Sequence, residues 1–223
     1  MAVRDALLVL LSMGPAYGFA LHGGLTERTG GRRSVNVGQT YATLDRLTKQ
    51  GLVEPDGTTD DGLPLHRLTP AGRAASSAWL HGADASGADP WDETVDRVLI
   101  AASLPGFDAA SVIDAELARW RERRGDAAHR AEPDGRAARE VDGDVGSGHP
   151  LVALAAAAEA ARASAAVDWL ESARERTIGS ARDGRPALAF APRAERPRRG
   201  RRPGPASSGA APGEPALQGA TAP

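Results

Sequence analysis

The strongest constraint on the fold is residues 36–51, NVGQTYATLDRLTKQG, which carry signals for both ends of one amphipathic helix. Asn36 is a favourable N-cap, and Gln39 three residues later completes a capping-box pattern, so we expect the helix to begin at Val37. Gly51 is expected to follow its C-cap. The rest of the chain must therefore supply a core for one face of this helix.

The apolar spacing of this helix predicts which face is buried. Tyr41, Leu44 and Leu47 recur every three residues and predict an inward stripe. The polar side chains predicted to lie more outward are Gln39, Thr43, Arg46 and Lys49. Such side chains can meet DNA base edges or phosphates. An ordinary surface helix has the same pattern, however, so the interpretation depends on the neighbouring segments.

Two further helices are predicted before this one. Residues 2–13 are apolar on one face and stop at Gly14-Pro15. A second helix over residues 17–29 is expected to end at Gly30 and Gly31. Three short helices with glycine-bearing turns are typical of a helix-turn-helix, in which the third helix can lie in the major groove.

After Gly51 the sequence pattern changes from helix to strand. Residues 52–68 contain two short apolar runs around the turn residues DGTTDDG, which predicts a β-hairpin, or wing. Thr69-Pro70 then begins a fourth helix that continues to about Leu80. We therefore expect a mainly α fold with a small β-hairpin, and a winged helix-turn-helix domain over residues 1–80.

These segments resemble the PadR-like winged-helix transcriptional regulators. The matching features are the stretch ALLVLLSMGPAYGFAL, the frame of Gly38, Tyr41, Leu44 and Leu47, the phrase at 50–53, and Leu68-Thr69-Pro70-Ala71-Gly72. The resemblance covers about residues 3–80. It implies a homodimeric, cytoplasmic DNA-binding regulator, usually a repressor, with the third helix in the major groove and the wing along the DNA backbone.

The sequence departs from the family pattern at two places. The second wing strand has Leu63-Pro64-Leu65-His66 where the family commonly has basic and aromatic residues, so only His66 and Arg67 remain to neutralise phosphates. Thr40 stands where the family usually has an aliphatic residue. These differences keep open a second interpretation, a winged-helix protein-interaction module with little affinity for DNA.

A helical dimerisation region is predicted over residues 91–179, after a polar linker at 81–90. Helices are expected at about 91–104, 108–124 and 151–178, with a Gly- and acid-rich loop at 132–150. The longest helix has a seam of mostly small residues: Leu151, Leu154, Ala158, Ala161, Ala165, Trp169 and Ser172. The resemblance implies that this helix pairs with its copy in a dimer, whereas packing within one chain remains an alternative.

Residues 180–223 are rich in Arg, Pro and Gly and are predicted to be a disordered tail. Residues 193–202 contain six arginines and one acid. Such a tail can add sequence-independent phosphate contacts, or it can be a solvated end without a partner.

Overall charge alone does not indicate a nucleic-acid partner. The net charge is −2, and residues 1–73 hold eight Lys or Arg against seven acids, while residues 84–144 hold eight Arg against fifteen acids. A DNA-binding surface would therefore need local clustering of cations.

We expect double-stranded DNA to be the partner of the third helix. Gln39 and Thr43 are the predicted base-edge contacts, Arg46 is assigned to guanine or phosphate, and Tyr41 is expected to combine a core ring with a phosphate-directed hydroxyl. Phosphate positioning contacts are assigned to Lys49, Arg32, Arg33 and Arg67, and Thr40 is included in the same surface. Lys49 fits an ordinary solvated position equally well.

The sequence gives little support for catalysis, and we expect no enzyme activity, cofactor or metal. Its five histidines are dispersed and no nucleophile or phosphate-loop motif follows a strand. A candidate site for a small aromatic effector is formed by Trp91, Trp120 and Trp169, although tryptophans at helical spacing are more often part of a core.

Localisation follows from what the sequence lacks. It has no cysteine, which excludes disulfides and thiolate metal sites. The apolar runs look shorter than a membrane span, and the first has no cleavable-signal layout. We therefore expect a cytoplasmic protein without a membrane partner.

Overall fold

The computed structural model describes residues 2–83, 87–131, 150–179 and 188–192. Its elements are α1 (Ala2–Leu11), β1 (Ala16–Tyr17), α2 (Gly18–Arg28), α3 (Val37–Lys49), β2 (Val53–Thr58), β3 (Pro64–Leu68), α4 (Pro70–Leu80), α5 (Pro90–Ser103), α6 (Ala109–Ala131) and α7 (Pro150–Gly179). The predicted mainly α fold with a winged helix-turn-helix is confirmed.

The wing belongs to a three-stranded antiparallel sheet with the order β1-β3-β2. β1 pairs Ala16 with His66, and β2 pairs Val53 with Leu68. β1 was not predicted, because two residues are too few to show an alternating pattern. Its pairing closes the outer edge of β3, so the hairpin is attached to the start of α2.

The predicted ends of α3 are confirmed by their hydrogen bonds. The side chain of Asn36 accepts from the Gln39 amide at 2.7 Å, and the helix begins at Val37. At the other end Gly51 has a φ of +69°, which lets the Leu52 amide donate to the Leu47 carbonyl at 3.0 Å. These caps fix the length and direction of α3.

The start of α4 lies directly against the turn that follows α3. Thr69 caps α4 by accepting from the Gly72 amide at 3.1 Å, and its hydroxyl donates to the Gly51 carbonyl at 2.7 Å. A methyl group on Gly72 would overlap the Leu52 carbonyl oxygen. Glycine at position 72 therefore permits the close approach of α4 to the beginning of the wing.

Two clusters of buried apolar side chains share α5. The first cluster joins α1–α4 and the sheet to Ile100 and Leu104 at the end of α5 and to Val112 in α6. The second joins Val98 of α5 to side chains of α6 and α7, among them Ile113, Leu117, Trp120, Val167 and Leu170. α5 is thus packed against both the winged helix and the helical region.

The prediction that the apolar runs are shorter than a membrane span does not hold for α7. This helix contains an 18-residue window with a mean hydropathy of 1.3, which by length and composition alone is enough to cross a membrane. Alanine accounts for this value, because many alanines are apolar without forming a visibly bulky run. A single helix of this kind is weak evidence for a membrane span, and one side of α7 packs on α6 in the second cluster.

Part of the predicted organisation lies outside the described residues. These parts are positions 84–86 of the linker, the loop at 132–149 and residues 180–187 and 193–223 of the tail. Of the predicted disordered tail, only residues 188–192 are described, and Phe190 is hydrogen bonded to Arg28 of α2. This contact differs from the prediction of disorder at that segment.

Candidate nucleic-acid interface

The exposed side of α3 is formed by Gln39, Ala42, Arg46 and Lys49, which we call the recognition face. Their spacing of three, four and three residues places them along one side of a helix. The opposite side packs into the first cluster through Leu44 and Leu47, each 1% exposed. Capped at both ends and packed on one side, α3 presents this polar face to solvent.

The predicted outward orientation of Thr43 is wrong, whereas Thr40 is buried as expected at a position where the family usually has an aliphatic residue. Thr40 and Thr43 are 0% and 4% exposed, so their side chains point into the domain instead of outward. The Thr43 hydroxyl donates to the Gln39 carbonyl at 2.8 Å and accepts from Arg46 Nη2 at 3.1 Å. We therefore correct two predictions: Thr43 does not face a base edge, and Thr40 is not part of the DNA surface. Thr43 can affect DNA binding only by positioning Arg46.

Tyr41 is also turned differently from the prediction. It is 42% exposed and lies at the border of the buried side of α3, not in the centre of the inward stripe. Its ring packs over Gly18, where a Cβ atom would lie 2.5 Å from Tyr41 Cε1. Glycine at position 18 therefore leaves room for the Tyr41 ring in this position, and a larger residue there would displace the exposed ring.

The cations of α3 are partly engaged within the helix. Lys49 forms an ion pair with Asp45 at 2.7 Å, and both side chains are largely exposed. Arg46 Nε donates to the Ala42 carbonyl at 3.3 Å. Exposed pairs of this kind contribute little to stability, so both cations can be redirected toward phosphate or base edges at small cost.

Arg32 and Arg33 lie in a different environment from the one predicted. Arg33 Nε bonds to Asp96 at 2.5 Å, and Arg32 Nη2 bonds to Asp92 at 2.9 Å. Asp96 has a fully buried side chain, and burial raises its pKa above the ordinary value although the hydrogen bond from Arg33 opposes that shift. The two arginines tie the turn before α3 to α5, so we remove them from the phosphate-contacting set.

The wing carries more negative than positive charge. Between positions 52 and 68 it has four acids, Glu54, Asp56, Asp60 and Asp61, and one arginine, Arg67. Arg67 Nε lies 2.9 Å from Glu54 and 3.3 Å from Asp56, so two acids already neutralise it. On β3, burial lowers the pKa of His66 below its ordinary value, which disfavours its cationic form. The wing is therefore poorly suited to bind phosphate.

The seam predicted on α7 is left uncovered by the described residues of the chain. Leu151 and Leu154 are each 68% exposed, and Ala158, Ala161, Ala165 and Ser172 are also exposed. The side of α7 that packs on α6 is formed by other residues, among them Ala163, Ala166, Val167 and Leu170. Apart from Trp169, which is half-buried against the second cluster, packing within the chain therefore uses the opposite side of the helix from the seam.

Trp91, Trp120 and Trp169 are brought together as a tryptophan cluster. The Trp91 ring stands nearly perpendicular to the other two, with centroid distances of 5.9 Å to Trp120 and 5.2 Å to Trp169. Trp120 is 4% exposed, whereas Trp91 and Trp169 are half-buried. The cluster offers two partly exposed aromatic rings, and the same contacts give Trp169 a role in packing one chain.

A buried polar network links the tryptophan cluster to α4 and was not foreseen from the sequence. Trp120 Nε1 donates to the Thr94 hydroxyl at 2.8 Å, and that hydroxyl donates to Glu116 at 2.8 Å. Arg97 forms an ion pair with Glu116, and its Nε donates to the Trp79 carbonyl at 2.6 Å.

Glu93 adds a second connection between α5 and α4 in this network. Its carboxylate accepts from Trp79 Nε1 at 2.6 Å. Burial raises the pKa of Glu93, whereas Arg119, Arg97 and Thr94 hold the pKa of Glu116 below its ordinary value despite its burial. Glu93 thus joins α5 to α4, and as an acid in the first turn of α5 it also interacts favourably with the helix dipole.

Comparison with known proteins bears on the same region. Residues 7–78 match the model of the transcriptional regulator PadR-like family. The chain is similar to the crystal structure of Bacillus subtilis PadR in complex with operator DNA, with 23% identity, 78% of this chain and 96% of that chain covered, and a TM-score of 0.33. The structure of the same protein with p-coumaric acid gives 22% identity, 79% and 96% coverage, and a TM-score of 0.32. No curated protein sequence matches this chain significantly.

Proposed function

Because residues 7–78 match the model of the transcriptional regulator PadR-like family, we propose that this protein is a sequence-specific DNA-binding repressor that acts as a homodimer. The observation that carries the proposal is the recognition face, whose polar side chains line the exposed side of a helix capped at both ends. A helix with these dimensions fits the major groove, where base edges can be distinguished.

Within this proposal each recognition-face residue has a distinct role. Gln39 pairs with adenine, the methyl group of Ala42 contacts a thymine methyl, and Arg46 takes guanine or phosphate. Lys49 and the Tyr41 hydroxyl supply positioning contacts to the backbone. Ala42 replaces Thr43 in the set predicted from the sequence, because Ala42 is exposed and Thr43 is buried.

The dimer is proposed from the uncovered seam of α7. Leu151 and Leu154 supply its large exposed apolar groups, and the alanines between them and Trp169 allow the backbone of a second helix to approach closely. A two-fold dimer carries two recognition faces, so it binds an inverted repeat whose halves lie ~34 Å apart or a multiple of that distance.

A small aromatic effector is part of the proposal. Trp91 and Trp169 present partly exposed rings on which such a compound can stack. The buried polar network then connects the tryptophan cluster to Trp79 of α4, so displacement of Trp120 alters a hydrogen-bonded contact with the winged helix. Binding of such a compound is tested by measuring the quenching of tryptophan fluorescence with a panel of small aromatic acids. The quenching should be lost in Trp91→Phe.

The proposal is tested by fluorescence anisotropy of the full chain with promoter DNA from its own gene and with a scrambled duplex, across a salt series. We expect tighter binding to the promoter and a logarithmic salt dependence that corresponds to several released counterions. Equal affinity for the two duplexes would refute sequence-specific recognition.

The acidic wing favours a second function, a winged-helix module that contacts another protein. Glu54, Asp56, Asp60 and Asp61 form a surface suited to a basic partner. In that case DNA binding is weak and insensitive to salt, and a stable complex with a protein partner survives the Gln39→Ala change.

A further inference from the structure

Residues 188–192, which we call the Phe190 segment, are held against a buried arginine of the helix-turn-helix. Arg28, in the last turn of α2, is 3% exposed. Its Nη1 donates to the carbonyl and hydroxyl oxygens of Ser103 at 2.5 and 3.0 Å, and its Nη2 donates to the Phe190 carbonyl at 2.9 Å. The Phe190 amide donates to the same Ser103 carbonyl at 3.2 Å, and its ring centroid lies 4.3 Å from Arg28 Cζ.

The chemistry of Arg28 explains why this contact is specific. Burial lowers the pKa of Arg28, since a desolvated guanidinium loses its hydration, and the acceptors named above are neutral oxygens. A buried cation is stable only when acceptors or an aromatic face replace water. The Phe190 segment supplies both a carbonyl and a ring, so without it Arg28 would be deprived of two compensating interactions.

The docking of the Phe190 segment matters because of where a local excess of positive charge lies in the sequence. Acids of the described residues already pair with Arg32, Arg33, Lys49 and Arg67. Immediately after Pro192, positions 193–202 contain six arginines and one glutamate. Ten extended residues span at most ~33 Å, which is close to the ~34 Å length of one DNA turn.

We propose that the Phe190 segment is a docking segment that ties the arginine-rich tail to the winged helix, so that the tail contributes phosphate contacts which the acidic wing does not provide. This inference rests on the proposed binding of DNA but not on its sequence specificity. Docking on Arg28 of α2 and Ser103 of α5 holds Phe190, which precedes the first of these arginines by three residues in the sequence, beside the helix-turn-helix. The gain is a higher effective concentration of the arginines near bound DNA.

The docking is tested without DNA in the full chain. Because the chain has no cysteine, Ala191→Cys provides a unique site for a nitroxide label. We expect the electron paramagnetic resonance spectrum to be that of an immobilised label, and to become that of a mobile label when Phe190→Ala is added. The matched control is Leu188→Ala, since Leu188 is 41% exposed, and it should leave the label immobilised. A mobile label without Phe190→Ala, or equal spectra in the two variants, would overturn the docking.

The role of the tail is tested by binding of a scrambled duplex across a salt series. Deletion of residues 193–223 should reduce the salt slope by about 0.9 for each phosphate that the tail neutralises. Phe190→Ala should weaken binding several-fold while Leu188→Ala does not. Unchanged affinity and slope in the deletion and in Phe190→Ala would overturn the inference. Loss of promoter preference with a retained tail effect would instead refute only the proposed sequence-specific function.

Discussion

At the scale of single residues, the two uncharged side chains of the recognition face have complementary chemistry. Gln39 carries an amide that can donate to and accept from adenine at once, whereas Ala42 offers only a methyl group that suits thymine. Arg46 lies between them and Lys49 along the same face and is held by the buried Thr43 hydroxyl at 3.1 Å. The residues that discriminate between base pairs should therefore lie mainly near the start of α3.

Replacing Gln39 with alanine tests this assignment. We expect discrimination between operator variants at one position to fall by about 1–3 kcal/mol if the contact is bidentate, with little change in the affinity for scrambled DNA. Competition anisotropy with single-position operator variants measures the effect. The control is Gln50→Ala, which removes an exposed amide at the C-cap of α3; equal effects of the two changes would remove Gln39 from the base-reading set.

The orientation of α3 shows what could and could not be predicted from the sequence. Its caps are local signals, so Asn36 and Gly51 predicted both ends correctly. The three-residue spacing assigned Tyr41 to the inward stripe, but Thr40 lies four residues before Leu44 and seven before Leu47, a spacing that fits the buried face better. Position 40 is one that the family usually fills with an aliphatic residue, so the burial of Thr40 agrees with the resemblance and not with its inclusion in the DNA surface.

Contacts between distant parts of the chain could not be predicted. Arg33 and Asp96 are separated by 63 residues, and the sequence alone predicted a phosphate contact for Arg33 instead of a partner in α5. The clustering of Trp91, Trp120 and Trp169 likewise depends on how three helices pack. Apart from β1, the sequence thus predicted the elements, including the recognition helix, but it did not predict which cations remain available to DNA.

At the scale of elements, the junction between α4 and the wing depends on Gly72. In Gly72→Ala the new methyl group overlaps the Leu52 carbonyl, so backbone must move, and we expect a loss of about 1–3 kcal/mol in the free energy of unfolding. Urea denaturation measures this loss. The matched control is Gly23→Ala in α2, which meets no atom within 4 Å and should stabilise the chain by about 0.5–1 kcal/mol. The same change in stability in both variants would contradict the close approach.

The wing should also respond to pH through His66. Burial lowers the folded-state pKa of His66 below the ordinary 6.5, so the unfolded chain binds the proton more readily. As pH falls through 6.5, stability contributed by neutral His66 is therefore lost, and it is fully present above that pH. Thermal unfolding between pH 5 and 8 measures the trend, which should be shallower in His66→Gln; an identical pH profile would exclude His66 as its source.

At the scale of the whole molecule, one side of α7 packs within the chain and the other side is proposed to form the dimer interface. One side packs on α6 through Ala163, Ala166 and Leu170, and the other side is the uncovered seam. Trp169 belongs partly to both, because its ring contacts Trp91. A change at Trp169 would therefore disturb the chain itself as well as a dimer.

Leu154→Asp is the sharper test of the dimer, since Leu154 is 68% exposed in one chain. A charge on the seam should dissociate the proposed dimer while the unfolding temperature of the monomer stays close to that of the unaltered chain. Sedimentation velocity gives the oligomeric state. Ala157→Asp, at an exposed position beside the seam, serves as control, and a dimer that survives Leu154→Asp would place the interface elsewhere.

The buried polar network also determines where this chain can be cut and rejoined with a relative. A chimera fused at residues 84–86 would separate Trp79 from Glu93 and Arg97, which bond to its ring nitrogen and carbonyl. A foreign winged helix without a matching donor would remove the hydrogen bond from Trp79 Nε1 and leave the buried Glu93 carboxylate, among the described residues, with only its longer ion pair to Arg97, at 3.9 Å. Loss of a donor to a buried charged group is costly. The transferable unit in recombination is therefore α1–α5 together with Glu116 of α6, and not the winged helix alone.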